Sequence, residues 1–231
     1  MEVVEQGAVG QVAYDRIRND IIFAVLKPDE RLKLEPLRVK YDTSVTTLRE
    51  VLNRLASEGF VVAEGQKGFR VSGVSLAGLK EIAGLRELIE CHALLESIRD
   101  GNLDWEGAVV SAHHKLSTIE QKMIDGEAVD LKLWKRFDRE FHTALISARP
   151  SSFLLKLHND IFDHYLRYQM IALGFRGKAA AEEHLMIMRY ALARRGADAA
   201  RVLVEHIEKG VQQAVTTGPL ADAAKAPSDA A

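Results

Sequence analysis

Residues 43–55 read Thr-Ser-Val-Thr-Thr-Leu-Arg-Glu-Val-Leu-Asn-Arg-Leu. Apolar residues recur there every three or four positions, which is the spacing of one buried face of an α-helix; they are Leu48, Val51, Leu52 and Leu55. The opposite face carries polar residues at the same spacing, namely Thr46, Arg49, Glu50 and Asn53. Hydroxyl side chains precede this helix, where free backbone N–H groups favour an anion such as phosphate. The stretch therefore predicts a helix that packs on a core and presents a polar face to a partner.

Further helices and a β-hairpin are predicted around this helix. The predicted elements are helices at residues 12–26, 34–41 and 44–58 and β-strands at residues 60–63 and 69–71. Lys27-Pro28 stops the first helix because proline lacks a backbone donor, and Gly59 ends the third. Gly65 and Gly68 favour a hairpin turn between the strands. Three helices followed by a hairpin are the order of a winged helix-turn-helix, which we place at residues 1–74.

A winged helix-turn-helix binds DNA by placing its third helix in the major groove. Arg49 lies on the polar face of that helix, where a bidentate contact to guanine would discriminate between base pairs. Lys67 lies at the glycine-flanked tip of the hairpin, within reach of the adjacent minor groove. By pattern alone, a polar outer face is equally typical of an ordinary surface helix. DNA binding and a solvated helix face therefore remain alternatives at this point.

The composition is typical of a two-domain protein with a sizeable core. The chain has 231 residues, of which 47% are hydrophobic, and its single cysteine, Cys91, excludes an internal disulfide. The formal net charge is −2, so the overall charge gives no indication of nucleic-acid binding. No apolar run has the length and flanks of a signal peptide or a membrane span. We therefore expect a soluble, cytoplasmic protein.

From Leu76 onward the sequence predicts helices separated by short loops. The breaks contain glycine or proline and lie at residues 101–102, 125–126, 149–150, 174–177 and 196. Long amphipathic helices joined by short loops are typical of an antiparallel bundle. We therefore predict a mainly α protein, in which the winged helix-turn-helix is followed by an all-α antiparallel bundle at residues 75–217. Residues 218–231 are rich in Ala, Asp and Pro without periodicity and are predicted to be a disordered tail.

The predicted bundle contains a carboxylate and three histidines in a pattern that suits a metal. Asp138 and His142 are four residues apart and therefore share one helical face. His184 and His206 lie on two later helices, each among apolar residues. One carboxylate and three imidazoles that converge inside a bundle would suit a divalent transition metal. An Asp–His pair at this spacing is also typical of an ordinary intrahelical hydrogen bond or ion pair.

The N-terminal motifs resemble the DNA-binding domain of the GntR family. They are residues 26–32 (LKPDERL), 41–55 (YDTSVTTLREVLNRL), 58–61 (EGFV) and 68–71 (GFRV). The resemblance covers about residues 14–74 and implies that the start of the third helix and the wing tip contact DNA. The contact residues it implies are Ser44, Thr46, Thr47, Arg49, Lys67 and Gly68. Val45 stands where the family commonly has a basic residue and Thr47 where it commonly has proline, so the operator sequence cannot be taken from relatives.

The C-terminal motifs resemble the FCD ligand domain of FadR-type members of that family. They are residues 85–90 (LRELIE), residues 138–142 (DREFH), Glu183-His184 and His206. In most such domains an aspartate and three histidines bind a metal, and the ligand is a small carboxylate. The metal ligands that the resemblance implies are Asp138, His142, His184 and His206.

The resemblance also implies a ligand-binding role for two residues of an earlier helix. Arg86 matches an arginine often found in the ligand cavity, where its guanidinium fork suits a carboxylate, and Glu90 would orient it. From the residues alone, Arg86 is equally a solvated helix charge.

Residues 147–152 (SARPSS) differ from the small-Gly-Asn segment common in the family, which leaves the identity of the ligand open.

These observations predict a dimeric, ligand-responsive transcriptional repressor that binds a double-stranded DNA operator. A homodimer is expected because paired operator half-sites mirror a two-fold axis in the protein. The metal is expected to be Zn, Ni or Mn, and no catalytic residue is predicted. The resemblance is closest to the carbon-starvation-induced branch of the family, which suggests a short dicarboxylate as the effector. Two alternatives remain: a metal-dependent enzyme that acts on a small organic acid, and a metal-free sensor of an acyl ligand.

Overall fold

The computed structural model of the chain describes residues 2–148, 151–172 and 175–216, with side chains described from Val9 onward and not for Ala172. The predicted tail at residues 218–231 lies outside the described residues. The chain divides into two compact units, residues 1–75 and 76–231, each with its own core. No helix within the described ranges is both long enough and apolar enough to cross a bilayer.

The first unit consists of three helices and a small antiparallel sheet. Its elements are α1 (Glu2–Ile22), β1 (Arg31–Leu32), α2 (Leu34–Tyr41), α3 (Val45–Ser57), β2 (Val61–Ala63), a 3₁₀ turn (Gly65–Lys67) and β3 (Phe69–Val71). The strands are ordered β1-β3-β2, and β2 and β3 form the wing hairpin. This is the winged helix-turn-helix that the sequence predicts.

Helix α3 has the two faces that its sequence predicts. Its apolar stripe is buried, and the four polar residues opposite the stripe are exposed. Ser44 caps the helix, because its hydroxyl accepts a hydrogen bond from the backbone N–H of Thr47 at 3.1 Å. The helix is thus held by its apolar face and its N-cap, which leaves the polar face available to a partner.

One strand and both ends of α1 differ from the sequence prediction in this unit. The strand β1 was missed because two residues are too few to produce an alternating pattern; its Leu32 pairs with Phe69 of β3. Helix α1 begins at Glu2 and ends at Ile22, well before Pro28. The earlier end has a local cause, since Ala24 adopts a left-handed conformation with φ 55° and interrupts the helical backbone.

The second unit is a bundle of helices. These are α4 (Leu76–Asp100), α5 (Leu103–Ile124), α6 (Leu131–Leu145), α7 (Ser152–Ala172), α8 (Lys178–Leu192) and α9 (Gly196–Thr216). Helix α4 packs on α7 and α9, α5 packs on α6 and α8, and α8 packs on α9.

The interior of this bundle is unusually polar. The charged or titratable side chains buried around its centre include Arg86, Glu90, Glu120, Lys135, Asp138, His142, His158, His184 and His206. Buried charges are rare unless they are paired or bind a ligand, so this cluster marks a candidate site.

The close packing of the bundle beside these buried charges can be tested by a substitution at Gly210 of α9. A Cβ at this position would clash with the hydroxyl of Tyr165, a fully buried side chain that donates a hydrogen bond to the carbonyl of Ile207. We expect Gly210→Ala to lower the free energy of unfolding by about 1–3 kcal/mol, the usual cost of overpacking. The measurement is urea unfolding of the full chain followed by circular dichroism.

The matched control is Gly107→Ala in α5, where a Cβ would have no neighbour within 4 Å. That substitution should raise the stability by about 0.5–1 kcal/mol, because alanine is the better helix former. Equal stability of the two variants would contradict the close approach of Tyr165 to α9.

Candidate metal centre and nucleic-acid interface

Three buried histidines from three helices meet inside the bundle. They are His142 on α6, His184 on α8 and His206 on α9, and we call them the histidine cluster. One nitrogen from each ring lies within 4.8 Å of the others. The ring centroids of His184 and His206 are 4.6 Å apart, and His142 lies 5.6–5.7 Å from both. The helices therefore converge at one point.

Asp138 lies beside this cluster, one helical turn before His142. Its Oδ1 is 3.8 Å from Nε2 of His142 and 3.6 Å from Nε2 of His184. Two atoms bound about 2.1 Å from one metal ion can be at most about 4.2 Å apart. Asp138 Oδ1 is therefore already close enough to these two nitrogens to share an ion with them. The nitrogens of the three rings lie within 4.8 Å of one another, so only a small approach would bring all of them within the same limit.

Each histidine of the cluster is held from behind by a buried glutamate. The Nδ1–H groups of His142, His184 and His206 donate to Glu90, Glu120 and Glu183 respectively, each at 2.9 Å. Because an ionised carboxylate only accepts hydrogen bonds, these contacts favour a ring proton on Nδ1 and a lone pair on Nε2. Nη2 of Arg86 and Nη2 of Arg176 also lie 3.0 Å from Nδ1 of His142 and His206 respectively, so among the described residues the assignment is simplest for His184. In the described part of the chain, the buried Nε2 atoms of His142 and His184 have no hydrogen-bond partner. Unpaired Nε2 atoms backed by carboxylates are the arrangement of metal-binding histidines, so the residues present fit a metal.

The protonation states also fit. Burial lowers the pKa of His142, and burial together with the neighbouring His184 holds the pKa of His206 well below its usual value. Although burial by itself would raise the pKa of Asp138, Lys135 and His142 lower that pKa below its usual range. Neutral imidazoles and an ionised carboxylate are the forms that bind a cation.

Arg86 and Glu90 lie behind the cluster. Arg86 Nε donates to Glu90 Oε1 at 2.6 Å and Nη2 donates to Oε2 at 3.3 Å. Glu90 also accepts from Nε2 of His158 at 2.9 Å, so one carboxylate holds an arginine and two histidines. Burial by itself would raise the pKa of Glu90, but Arg86 and His142 hold that pKa well below its usual range. In this structure the fork of Arg86 is occupied by Glu90, which in turn orients His142.

A small cavity of about 20 Å³ adjoins the cluster. Two buried or largely buried cations, Lys135 and Arg176, are among the residues that line it, whereas Arg86 is not. Lys135 Nζ lies 3.2 Å from Asp138 Oδ2 and donates to Gln169 Oε1 at 2.9 Å. Arg176 donates to Glu183 Oε2 at 2.6 Å. The positive groups nearest to a ligand in this cavity are therefore Lys135 and Arg176.

Sequence reasoning missed several of these residues. They are Glu120, Lys135, His158, Arg176 and the role of Glu183. Glu183 was noted only as the neighbour of His184, but its carboxylate holds His206 on the next helix. The only available signal was the placement of charged residues among apolar ones on helices predicted to be buried.

The predicted DNA-contacting residues lie at the start of α3 and at the wing tip. Thr46 and Arg49 are exposed, and in the described part of the chain Arg49 makes no hydrogen bond or ion pair. Thr47 is half-buried and its hydroxyl lies 2.9 Å from that of Ser44. Lys67 is exposed at the tip, where Gly68 adopts φ 90° and lets the hairpin turn. Arg49 is therefore free to reach a partner.

A winged helix-turn-helix with an exposed third helix, followed by a helical domain around a polar cavity, is the architecture of a DNA-binding transcriptional regulator. Two family models match the chain. The model of the bacterial regulatory proteins of the gntR family matches residues 10–71, and the FCD domain model matches residues 81–209. The chain belongs to the GntR family and carries an FCD domain.

Relatives agree with this assignment. The HTH-type transcriptional regulator BphR of Paraburkholderia xenovorans is 32% identical over 203 residues, which cover 87% of this chain and 83% of BphR. The HTH-type transcriptional repressor GlaR of Escherichia coli is 31% identical over 201 residues, which cover 84% of this chain and 90% of GlaR. The solved structure of E. coli McbR/YncC shares the fold, with a TM-score of 0.74 at 17% identity over 90% of this chain and 97% of that one. The families and the named relatives are transcriptional regulators, not enzymes.

Proposed function

We propose that this regulator binds a divalent transition metal through Asp138, His142, His184 and His206, senses a small carboxylate there, and responds by changing its affinity for operator DNA. The observation that carries the proposal is the convergence of three buried imidazoles whose Nδ1 atoms are all held by glutamates. A donor set of imidazoles and one carboxylate suits zinc, nickel or manganese. When bound, such an ion supplies coordination positions for a carboxylate oxygen.

The charge around the cavity supports an anionic effector. Lys135 and Arg176 line the cavity, and Arg86 lies behind the cluster. The buried charges that line the cavity oppose the alternative of a metal-free site for an acyl chain, because apolar groups gain nothing beside buried ions. We therefore favour a short carboxylate, and a short dicarboxylate remains the specific proposal from the family resemblance.

For the DNA-binding unit we propose that Ser44, Thr46, Thr47, Arg49, Lys67 and Gly68 contact a palindromic operator. A homodimer would match the two half-sites of such an operator. Helix α4 leaves Leu85, Leu88 and Leu95 exposed on one face, with Leu88 69% exposed, which a second copy of the chain could cover. We propose a repressor, the role stated in the name of the relative GlaR.

The test combines elemental analysis with operator binding. Protein purified without added metal should contain close to one divalent ion per chain. Adding members of a panel of two- to six-carbon carboxylates should change operator affinity roughly 5–150-fold, the usual range of allosteric coupling. The control is the same protein stripped with a chelator, which should lose the response. A metal-free protein that responds fully would refute the metal centre.

Glu120 offers a separate test because, among the described residues, its carboxylate makes a single hydrogen bond, which it accepts from His184 at 2.9 Å. We expect Glu120→Ala to weaken zinc binding about 10–100-fold, as loss of an outer carboxylate usually does. Glu120→Gln, which keeps an acceptor for the ring N–H, should lose less. The measurement is competition of the protein with a zinc-binding dye. The control is Glu140→Ala, which removes a half-exposed carboxylate on α6 that pairs with Lys115, and equal affinity of the Glu120 and Glu140 variants would contradict the prediction.

A further inference from the structure

Trp134 carries a buried hydrogen-bond donor that nothing in the described part of the chain accepts. The side chain is 6% exposed and lines the cavity beside the histidine cluster, and its indole N–H has no partner there. Trp105, by contrast, donates its indole N–H to the carbonyl of Ala144 at 3.0 Å. Because buried polar groups are normally paired, an unpaired donor on a cavity wall indicates an acceptor that is brought by a ligand.

The next residue on α6 places a positive charge beside this donor. Lys135 is 3% exposed, also lines the cavity, and its Nζ lies 3.7 Å from the ring centroid of Trp134. Two carboxylate or amide oxygens contact the ammonium group, from Asp138 and Gln169. An ammonium group has three N–H donors, so one remains beyond these two oxygens, facing the indole or the cavity.

Other positive groups are less available. Arg86 does not line the cavity and its fork is occupied by Glu90. Arg176 lines the cavity but is paired with Glu183 through both terminal nitrogens. An oxygen that enters the cavity therefore has two candidate partners among the lining residues, the unpaired indole N–H of Trp134 and the ammonium group of Lys135.

We propose that Trp134 and Lys135 together bind one carboxylate oxygen of the effector and determine its specificity. The proposal rests on the proposed function, since it assumes that the effector enters this cavity. An indole N–H can only donate, so it selects an acceptor atom, and the adjacent ammonium group selects an anion over a neutral amide. Small carboxylates should therefore bind, and their uncharged amides should not.

The experiment uses the full chain loaded with zinc and measures the binding of sodium succinate, sodium acetate and succinamide by calorimetry. We expect the wild type to bind at least one of the two acids and not the amide. Trp134→Phe and Lys135→Met should each weaken binding of that acid about 10–100-fold, the range for loss of a hydrogen bond to a charged group. The controls are Trp105→Phe and Lys156→Met, which change the same residue types away from the cavity lining.

Zinc content is measured in every sample, so that failure of the roles of Trp134 and Lys135 can be distinguished from failure of the proposed function. Unchanged acid binding in zinc-loaded Trp134→Phe and Lys135→Met overturns the role of these residues and leaves the proposed function standing. A zinc-loaded wild type that binds neither these two acids nor any other member of the two- to six-carbon carboxylate panel overturns both.

Fluorescence provides a test that does not depend on the stability of the Lys135 variant. In Trp105→Phe, Trp134 is the only tryptophan of the chain. Its emission should shift when the acid is added and should not shift with succinamide. If Lys135→Met loses zinc or fails to fold, Trp134→Phe and this emission decide the question, and unchanged emission overturns the proposal.

Discussion

The His184→Ala variant is expected to lose its bound metal and its response to carboxylates while it keeps its fold. His184 contributes an Nε2 that is buried, unpaired in the described residues and 3.6 Å from Asp138 Oδ1. Removing a direct ligand should weaken zinc binding by more than the roughly 10–100-fold that loss of an outer partner costs. Asp138→Ala should have a similar effect, because it removes the carboxylate that lies near the Nε2 atoms of His142 and His184. The measurements are elemental analysis of purified protein and competition titration with zinc.

His113→Ala is the matched control. His113 is also a buried histidine and packs edge-on against Phe141, as His184 does, but it is not part of the histidine cluster. Its loss should lower stability and leave zinc bound. If His184→Ala and Asp138→Ala keep wild-type zinc affinity, the metal centre is wrong, and the histidines serve only as paired core residues.

The parts of the fold that depend on local spacing could be predicted from the sequence. The buried stripe of α3 needs only four leucine and valine positions in one stretch, and its N-cap needs only Ser44. The wing followed from Gly65 and Gly68 between two β-like runs. The strand β1 could not be predicted, because it has only two residues and its Leu32 pairs with Phe69, which lies far away in the chain.

In the candidate site, too, only the features that depend on local spacing could be predicted from the sequence. The pair Asp138 and His142 follows from helical periodicity, whereas the convergence of His184 and His206 on that pair was inferred from the family resemblance. Glutamates such as Glu120, 64 positions from His184, could not be assigned to a histidine from spacing. Nor does sequence reveal that Arg86 is occupied by Glu90, because that depends on which buried charges lie nearest in space.

In the DNA-binding unit, the Arg49→Ala variant is expected to lose specific operator binding roughly 5–150-fold, which corresponds to about 1–3 kcal/mol for one bidentate contact to a base. Binding to DNA of unrelated sequence should change much less. The reason is geometric: Arg49 lies on the exposed face of α3 and makes no ion pair or hydrogen bond with any described residue, so its fork is free for a base edge. The operator is first obtained by selection from a random duplex pool with the wild type. Affinities for it and for a scrambled duplex are then measured by fluorescence anisotropy.

Arg38→Ala is the control for charge alone. Arg38 is an exposed arginine on α2 that pairs with Glu35, so its removal takes away the same charge without touching α3. Any effect of Arg38→Ala should be equal on operator and scrambled DNA, because a phosphate contact carries no sequence information. If Arg49→Ala behaves in the same way, Arg49 contacts only phosphate and base reading must come from other residues of α3. A loss confined to the operator would instead make Arg49 a base-reading residue, because only a contact to a base edge distinguishes the two duplexes.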